Sequence, residues 1–118
     1  MPDMSMPPPV GARWEWDIVA DRVTWSDELY HMYGLKPREF RASYDAFIER
    51  VHRDDRRRVD LIVRQALRDG RPFDFEHRLV RPDGTVRMLR AHGEVDLGPD
   101  GRAICMSGTT QDVTPTRA

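Results

Sequence analysis

A chain of 118 residues, 39% hydrophobic and 33% charged, has room for one domain with a modest core. Its net charge of −1 argues against a coat for nucleic acid, and its single cysteine, Cys105, excludes an internal disulfide and suits a reducing cytoplasm. No apolar run approaches the roughly 20 residues that cross a bilayer, so no membrane contact is expected, and MPDMSMPPPV has no secretory-signal pattern.

Residues 1–11, rich in Pro and Met without periodicity, are expected to form a flexible or extended arm. From Arg13 to Ile18 the chain alternates, with Trp14, Trp16 and Ile18 on one face and Glu15 and Asp17 on the other, which predicts a half-buried strand. A turn near Ala20-Asp21 leads to a second short strand, Arg22 to Trp25. Ser26 is a predicted N-cap, with Asp27 and Glu28 in the first helical turn and Trp25 and Tyr30 spaced for a hydrophobic staple. Gly34 ends that helix, and Pro37 and Phe40 fall in a loop. A second short helix from Ser43 offers Phe47, Ile48 and Val51 inward.

The one long helix begins at Asp54 or Asp55. Val59, Ile62, Val63, Ala66 and Leu67 form its apolar stripe, Gly70 caps it and Pro72 stops it. Arg56, Arg57 and Arg58 are expected on a solvated face with local ion pairs.

Phe73 to Thr114 contains two Pro-Asp-Gly turns, Pro82-Asp83-Gly84 and Pro99-Asp100-Gly101, separating three strand-like runs. Short loops of this kind join antiparallel neighbours, so the segment is a meander. Two strands, several helices and three antiparallel strands predict an α+β fold, with the helices on one face and the first hairpin paired to the last strand.

Taken together, these segments resemble the PAS domain, in the bacterial subgroup with a WxW opening strand. The carriers are Trp14-Glu15-Trp16-Asp17, Thr24 to Tyr30 with Tyr33-Gly34, Val51 to Arg56, Phe75 to Leu79, Arg81 to Gly84, and Gly108 to Thr114. The resemblance divides the chain into an arm over 1–11, a PAS domain over 12–114 and the start of an output linker over 115–118. It implies a five-stranded antiparallel sheet with short helices and one longer helix on one face. Arg53 stands where the family usually has Pro, and Met88 where Trp is common, which would enlarge or reshape the enclosed space.

The resemblance also implies a non-catalytic cytoplasmic sensory module, the input of a histidine kinase or cyclic-dinucleotide signalling protein, answering a small ligand or a partner. The signal would leave through Asp112 and Thr114, with Thr114 as N-cap and Pro115 opening an output helix. The chain would then be a fragment of a larger sensor or a stand-alone module, forming a homodimer and serving an output domain in cis or a separate effector. The alternative is a ligand-free dimerisation module that uses the exposed sheet face and the arm.

His31, His52, His77 and His92 show none of the spacings of a metal site. Haem is disfavoured because Val59 to Asp69 carries no histidine. Covalent flavin chemistry is disfavoured because Cys105 lies in the last strand, where it is expected as a buried inert thiol. Non-covalent flavin stays open. Ser26 and His31 lack the nucleophile elbow and oxyanion loop of a hydrolase.

The remaining candidate is a pocket between sheet and helices. Phe73, Phe75, His77 and Leu79 share one strand face, and Met88 and His92 share a face of the next strand. With His77 and His92 inward, they would give an apolar pocket its orienting groups. A fully packed core with a histidine bonded to backbone is the simpler expectation for a domain of this size.

Overall fold

The computed structural model describes residues 12–37 and 41–115. The expected arm over 1–11, the loop residue Phe40 and residues 116–118 of the expected output helix lie outside them. Strands β1 (Ala12–Asp17) and β2 (Arg22–Trp25) open the chain. Helices α1 (Asp27–Met32), α2 (Tyr44–Arg50) and α3 (Arg53–Asp69) follow, and β3 (Phe73–Val80), β4 (Val86–Leu97) and β5 (Ala103–Asp112) complete it. The five strands form one antiparallel sheet in the order β2-β1-β5-β4-β3, so the first hairpin joins the last strand as expected.

Local chemistry explains the boundaries. Ser26 Oγ accepts the Leu29 amide at 3.3 Å, and Trp25 and Tyr30 meet with ring centroids 5.2 Å apart, which is the staple. Ser43 Oγ accepts the Ala46 amide at 3.0 Å. Helix α3 starts a little earlier than expected, because the cap is His52, whose Nδ1 accepts the Asp54 amide at 3.1 Å. Arg53 is therefore the first helical residue, the position where the family's Pro is also tolerated. At its other end Gly70, at φ 68, takes the left-handed conformation that a side chain would resist. Both Pro-Asp-Gly turns close through Asp: Asp83 Oδ1 accepts the Thr85 amide at 2.9 Å, and Asp100 Oδ1 accepts the Arg102 amide at 3.0 Å.

The helices cover one face of the sheet. Leu29, Tyr33, Leu79 and Leu89 are buried at one end, and Val59, Val63, Phe75, Ala91 and Met106 at the other. Two backbone links tie the α2–α3 joint to β3: a bridge between Val51 and Leu79, and His52 N–H donating to Arg78 O at 2.8 Å. Below them Asp55, 7% exposed, accepts three bonds from Arg78: the amide at 2.8 Å, Nε at 3.1 Å and Nη2 at 2.8 Å. The opposite sheet face is polar, with Arg13, Glu15, Asp17, Arg90 and Glu94 exposed on it. No helix among the described residues is long and apolar enough to cross a membrane.

Candidate functional site

Between sheet and helices lies a cavity of about 60 Å³ lined largely by aromatic rings. A water needs roughly 10–15 Å³, so the space suits a few waters or one small molecule. All three tryptophans border it, with Tyr33, Tyr44, Phe47, Phe73 and Phe75. Stacking fixes several of these rings: Trp14 lies 6.0 Å from Phe73 at 12°, and Trp16 lies 5.2 Å from Tyr44 at 8°. Polar bonds hold them from behind. Trp16 donates its indole N–H to Asp21 Oδ1 at 3.2 Å, and Tyr44 donates its hydroxyl to Asp60 Oδ1 at 2.7 Å. Burial, reinforced by that bond, raises the Tyr44 hydroxyl above its ordinary pKa, and burial does the same to Tyr33.

Behind two of these rings the sheet is glycine. Gly93 and Gly108 are paired across β4 and β5, and the rings of Phe73 and Trp14 lie where their side chains would be. From the same strand the buried Thr110 brings a hydroxyl to the lining, two residues before Asp112.

A family model described as the PAS fold matches residues 22–110. The chain belongs to the PAS-fold family. Over 104 residues, 88% of its length, this PAS domain is 25% identical to the probable diguanylate cyclase DgcE of Escherichia coli (strain K12). It is 28% identical over 100 residues, 85% of its length, to the sensor protein FixL of Bradyrhizobium diazoefficiens. It spans only 9% and 20% of those two proteins. In structure it resembles the N-terminal domain of a diguanylate cyclase with a PAS/PAC sensor from Marinobacter aquaeolei. That match has a TM-score of 0.79 at 15% identity, covering 87% of this chain and 94% of the other, which speaks to fold.

Of the residues expected in the pocket, this PAS domain brings Phe73 and Phe75 into the cavity wall. Leu79 points inward but packs in the core with Leu29 and Tyr33. Met88 and His92 do not belong there. The register sets Ala91 opposite Phe75 and Leu89 opposite His77, so the other face of β4 looks inward. Met88 therefore lies opposite Arg78 and cannot widen the cavity, and His92 stands in solvent with Asp74 at 3.8 Å and Glu94 at 3.7 Å. Cys105 is likewise not buried in the core: it is half-buried on the uncovered face, its Sγ 3.9 Å from Glu15 Oε2. Burial and then the charge of Glu15 raise its thiol pKa, which keeps it protonated and unreactive. Ser26 spends its hydroxyl on the Leu29 and Arg13 amides, the latter at 2.9 Å, so it is no nucleophile.

His77 is inward, 1% exposed, between Phe47 and Phe75, with both ring centroids 5.6 Å away. Instead of the expected bond to backbone, neither ring nitrogen has a hydrogen-bond partner among the described residues. Burial pushes the imidazole down to about 4, because a charged ring would lose its hydration there. The Arg78 hydrogen bonds hold the Asp55 carboxyl down at about 2, against burial. Both groups bind more protons in the unfolded chain, so both lose stability on acidification. The His77 contribution is complete above pH 6.5 and falls away towards pH 4, and that of Asp55 declines from pH 3.8 towards 2. For His77 the loss is about 3 kcal/mol. Melting temperatures measured between pH 7 and 4.5 should fall steadily, and His77→Leu should flatten that slope without lowering the value at pH 7. An unchanged slope would refute this role.

At the end of β5, Asp112 and Thr114 form a latch. Asp112 Oδ1 accepts the Thr114 amide at 2.9 Å, and Thr114 Oγ1 accepts the Met88 amide at 2.8 Å. The Val113 amide donates to Met88 O at 2.8 Å, and Arg87 Nε donates to Asp112 Oδ2 at 2.8 Å. Burial works to raise the Asp112 carboxyl, yet Arg87 and Thr114 together hold it below its ordinary pKa. The pair expected to carry the signal out grips the first residues of β4. Among the described residues no cluster of His, Cys, Asp or Glu is placed to hold a metal.

Proposed function

We propose that this PAS domain is a cytoplasmic sensory input module, without catalysis of its own, whose signal is a small, mostly apolar molecule held in the aromatic cavity. Proteins similar to it bear the names of a diguanylate cyclase and a sensor protein, which favours an output of the cyclic-dinucleotide or histidine-kinase kind. The observation that carries the reading is the continuity of β5. Met106 and Thr110 line the cavity, Asp112 ends the same strand, and Thr114 just beyond it completes the latch. A ligand that sits better over one curvature of β5 than another biases the latch, and only that difference in affinity transmits a signal. The lining asks for an aromatic or aliphatic body with one hydrogen-bonding group to meet Thr110.

Because every tryptophan borders the cavity, occupancy has a built-in reporter. Titration with a panel of small neutral aromatics should change tryptophan fluorescence and raise the melting temperature together, since a ligand of the native state stabilises it. Flat fluorescence and melting temperature across the panel would sink the ligand reading.

A further inference from the structure

Away from the cavity, the α2–α3 joint and the end of β3 border an open groove of about 370 Å³, within the range of small-molecule sites. Arg50, Arg53, Arg56 and Arg81 line it, with His52 and a single carboxylate, Glu49. Asp54, whose Oδ2 lies 3.9 Å from His52 Nδ1, and Asp83, which feels the charge of Arg81, adjoin the groove without lining it. So much positive charge in one concavity stands out on a chain whose net charge is −1.

Elsewhere Arg58, Arg64, Arg78, Arg87, Arg90 and Arg102 each lie within ion-pair distance of a carboxylate. Among the described residues Arg53, Arg56 and Arg81 have none, which is also true of several scattered arginines, but these three share one concavity. Two of them are instead fixed by backbone carbonyls. Arg56 donates Nε to Val51 O and Nη2 to Glu49 O, each at 2.9 Å, and Arg81 donates Nε to Met32 O at 3.0 Å. These bonds orient both guanidinium groups and leave Nη donors for a ligand, so part of the ordering cost is met in advance. His52 accepts the Asp54 amide at Nδ1, which places the proton of the neutral ring on Nε2 as a further donor.

We infer that this groove is a second binding site, separate from the aromatic cavity, for a small phosphate-bearing molecule whose phosphate sits among Arg53, Arg56 and Arg81. Guanidinium forks match the paired oxygens of phosphate, and charge of this density is answered by a multiply charged anion rather than a lone carboxylate. Val80 borders the groove and pairs with Val86, next to the Arg87 that holds Asp112, so an occupant would also stiffen the sheet end that carries the latch.

Calorimetric titration of the chain with pyrophosphate tests the assignment. The expected dissociation constant is below about 1 mM and rises with added salt. Arg53→Glu should weaken binding at least about tenfold while leaving the unliganded melting temperature in place, since among the described residues the Arg53 side chain has no hydrogen bond or ion pair. Arg68→Glu, the same charge change at the far end of α3, should bind as the parent does. No heat of binding up to about 10 mM, or equal weakening by the two variants, would overturn the site.

Discussion

Asp55→Ala should lower the unfolding free energy by about 3 kcal/mol. This would be one of the largest losses from any single side chain in this PAS domain. The carboxylate accepts the Arg78 amide and two of its guanidinium N–H groups while almost fully buried. Removing it leaves a backbone donor and a cation without their partner, which costs more than the pair contributes in a balanced state. The Arg78 side chain is 38% exposed, so water takes over part of its solvation and the loss sits at the lower end for a buried pair. In thermal unfolding the effect would read as a drop of roughly 10–20 °C. Asp55→Asn, which can still accept from the amide, should recover part of it. A drop of only a degree or two for Asp55→Ala would show that the α3–β3 joint does not depend on this carboxylate.

The second large effect is expected at Gly108. A methyl group there would overlap the His92 carbonyl and come within 2.7 Å of Trp14 Cζ2 and 2.9 Å of Gly93 Cα. Two of these three obstacles are backbone, so β4 and β5 must part for Gly108→Ala to fit, at a cost of about 3 kcal/mol. Gly93→Ala meets only the Phe73 ring among its nearest atoms, and a ring can swing away. Its cost should stay near 1 kcal/mol, and the displaced ring should alter tryptophan fluorescence through Trp14, on which Phe73 stacks. Urea melts of the two variants give the comparison. Equal destabilisation would contradict the backbone-contact explanation.

The elements were legible in the sequence wherever their cause is local. Caps at Ser26 and Ser43, the glycine stop at Gly70 and both Pro-Asp-Gly turns depend on residues a few positions apart. The apolar stripe of α3 is equally self-contained. Local pattern is ambiguous where a long-range contact decides. Alternation along β4 offers two faces, Met88 with His92 or Leu89 with Ala91, and only the pairing of Ala91 with Phe75 selects the second. Gly93 hides the inward face further, because it has no side chain to reveal it.

The cavity was only half visible for a related reason. Alternation in the meander shows only the part of its walls where Phe73 and Phe75 are. Most of the lining comes from β1, β2 and the helices, with Trp14 and Thr110 brought together by the pairing of β1 and β5. The bond from Asp55 to Arg78 spans 23 positions and has no local signature beyond an acid in a first helical turn. The arginine groove combines residues from Arg50 to Arg81 and has no local signature, because the run Arg56 to Arg58 has the pattern of a solvated face. Arg58 does lie 3.8 Å from Asp55, but Arg56 bonds carbonyls instead.

The coupling of cavity to latch is the central claim, and amide hydrogen exchange reads it most directly. Benzene, a small apolar probe, is added to the intact chain while exchange is followed by NMR at Val113 and Thr114, two of the latch amides. The indole signals of Trp14, Trp16 and Trp25 should shift as the cavity fills, and exchange at Val113 and Thr114 should change several-fold. The Gly101 amide, in the turn at the opposite end of β5, should exchange as before. Indole shifts with the Val113 and Thr114 amides unmoved, or no benzene bound at all, would contradict the account.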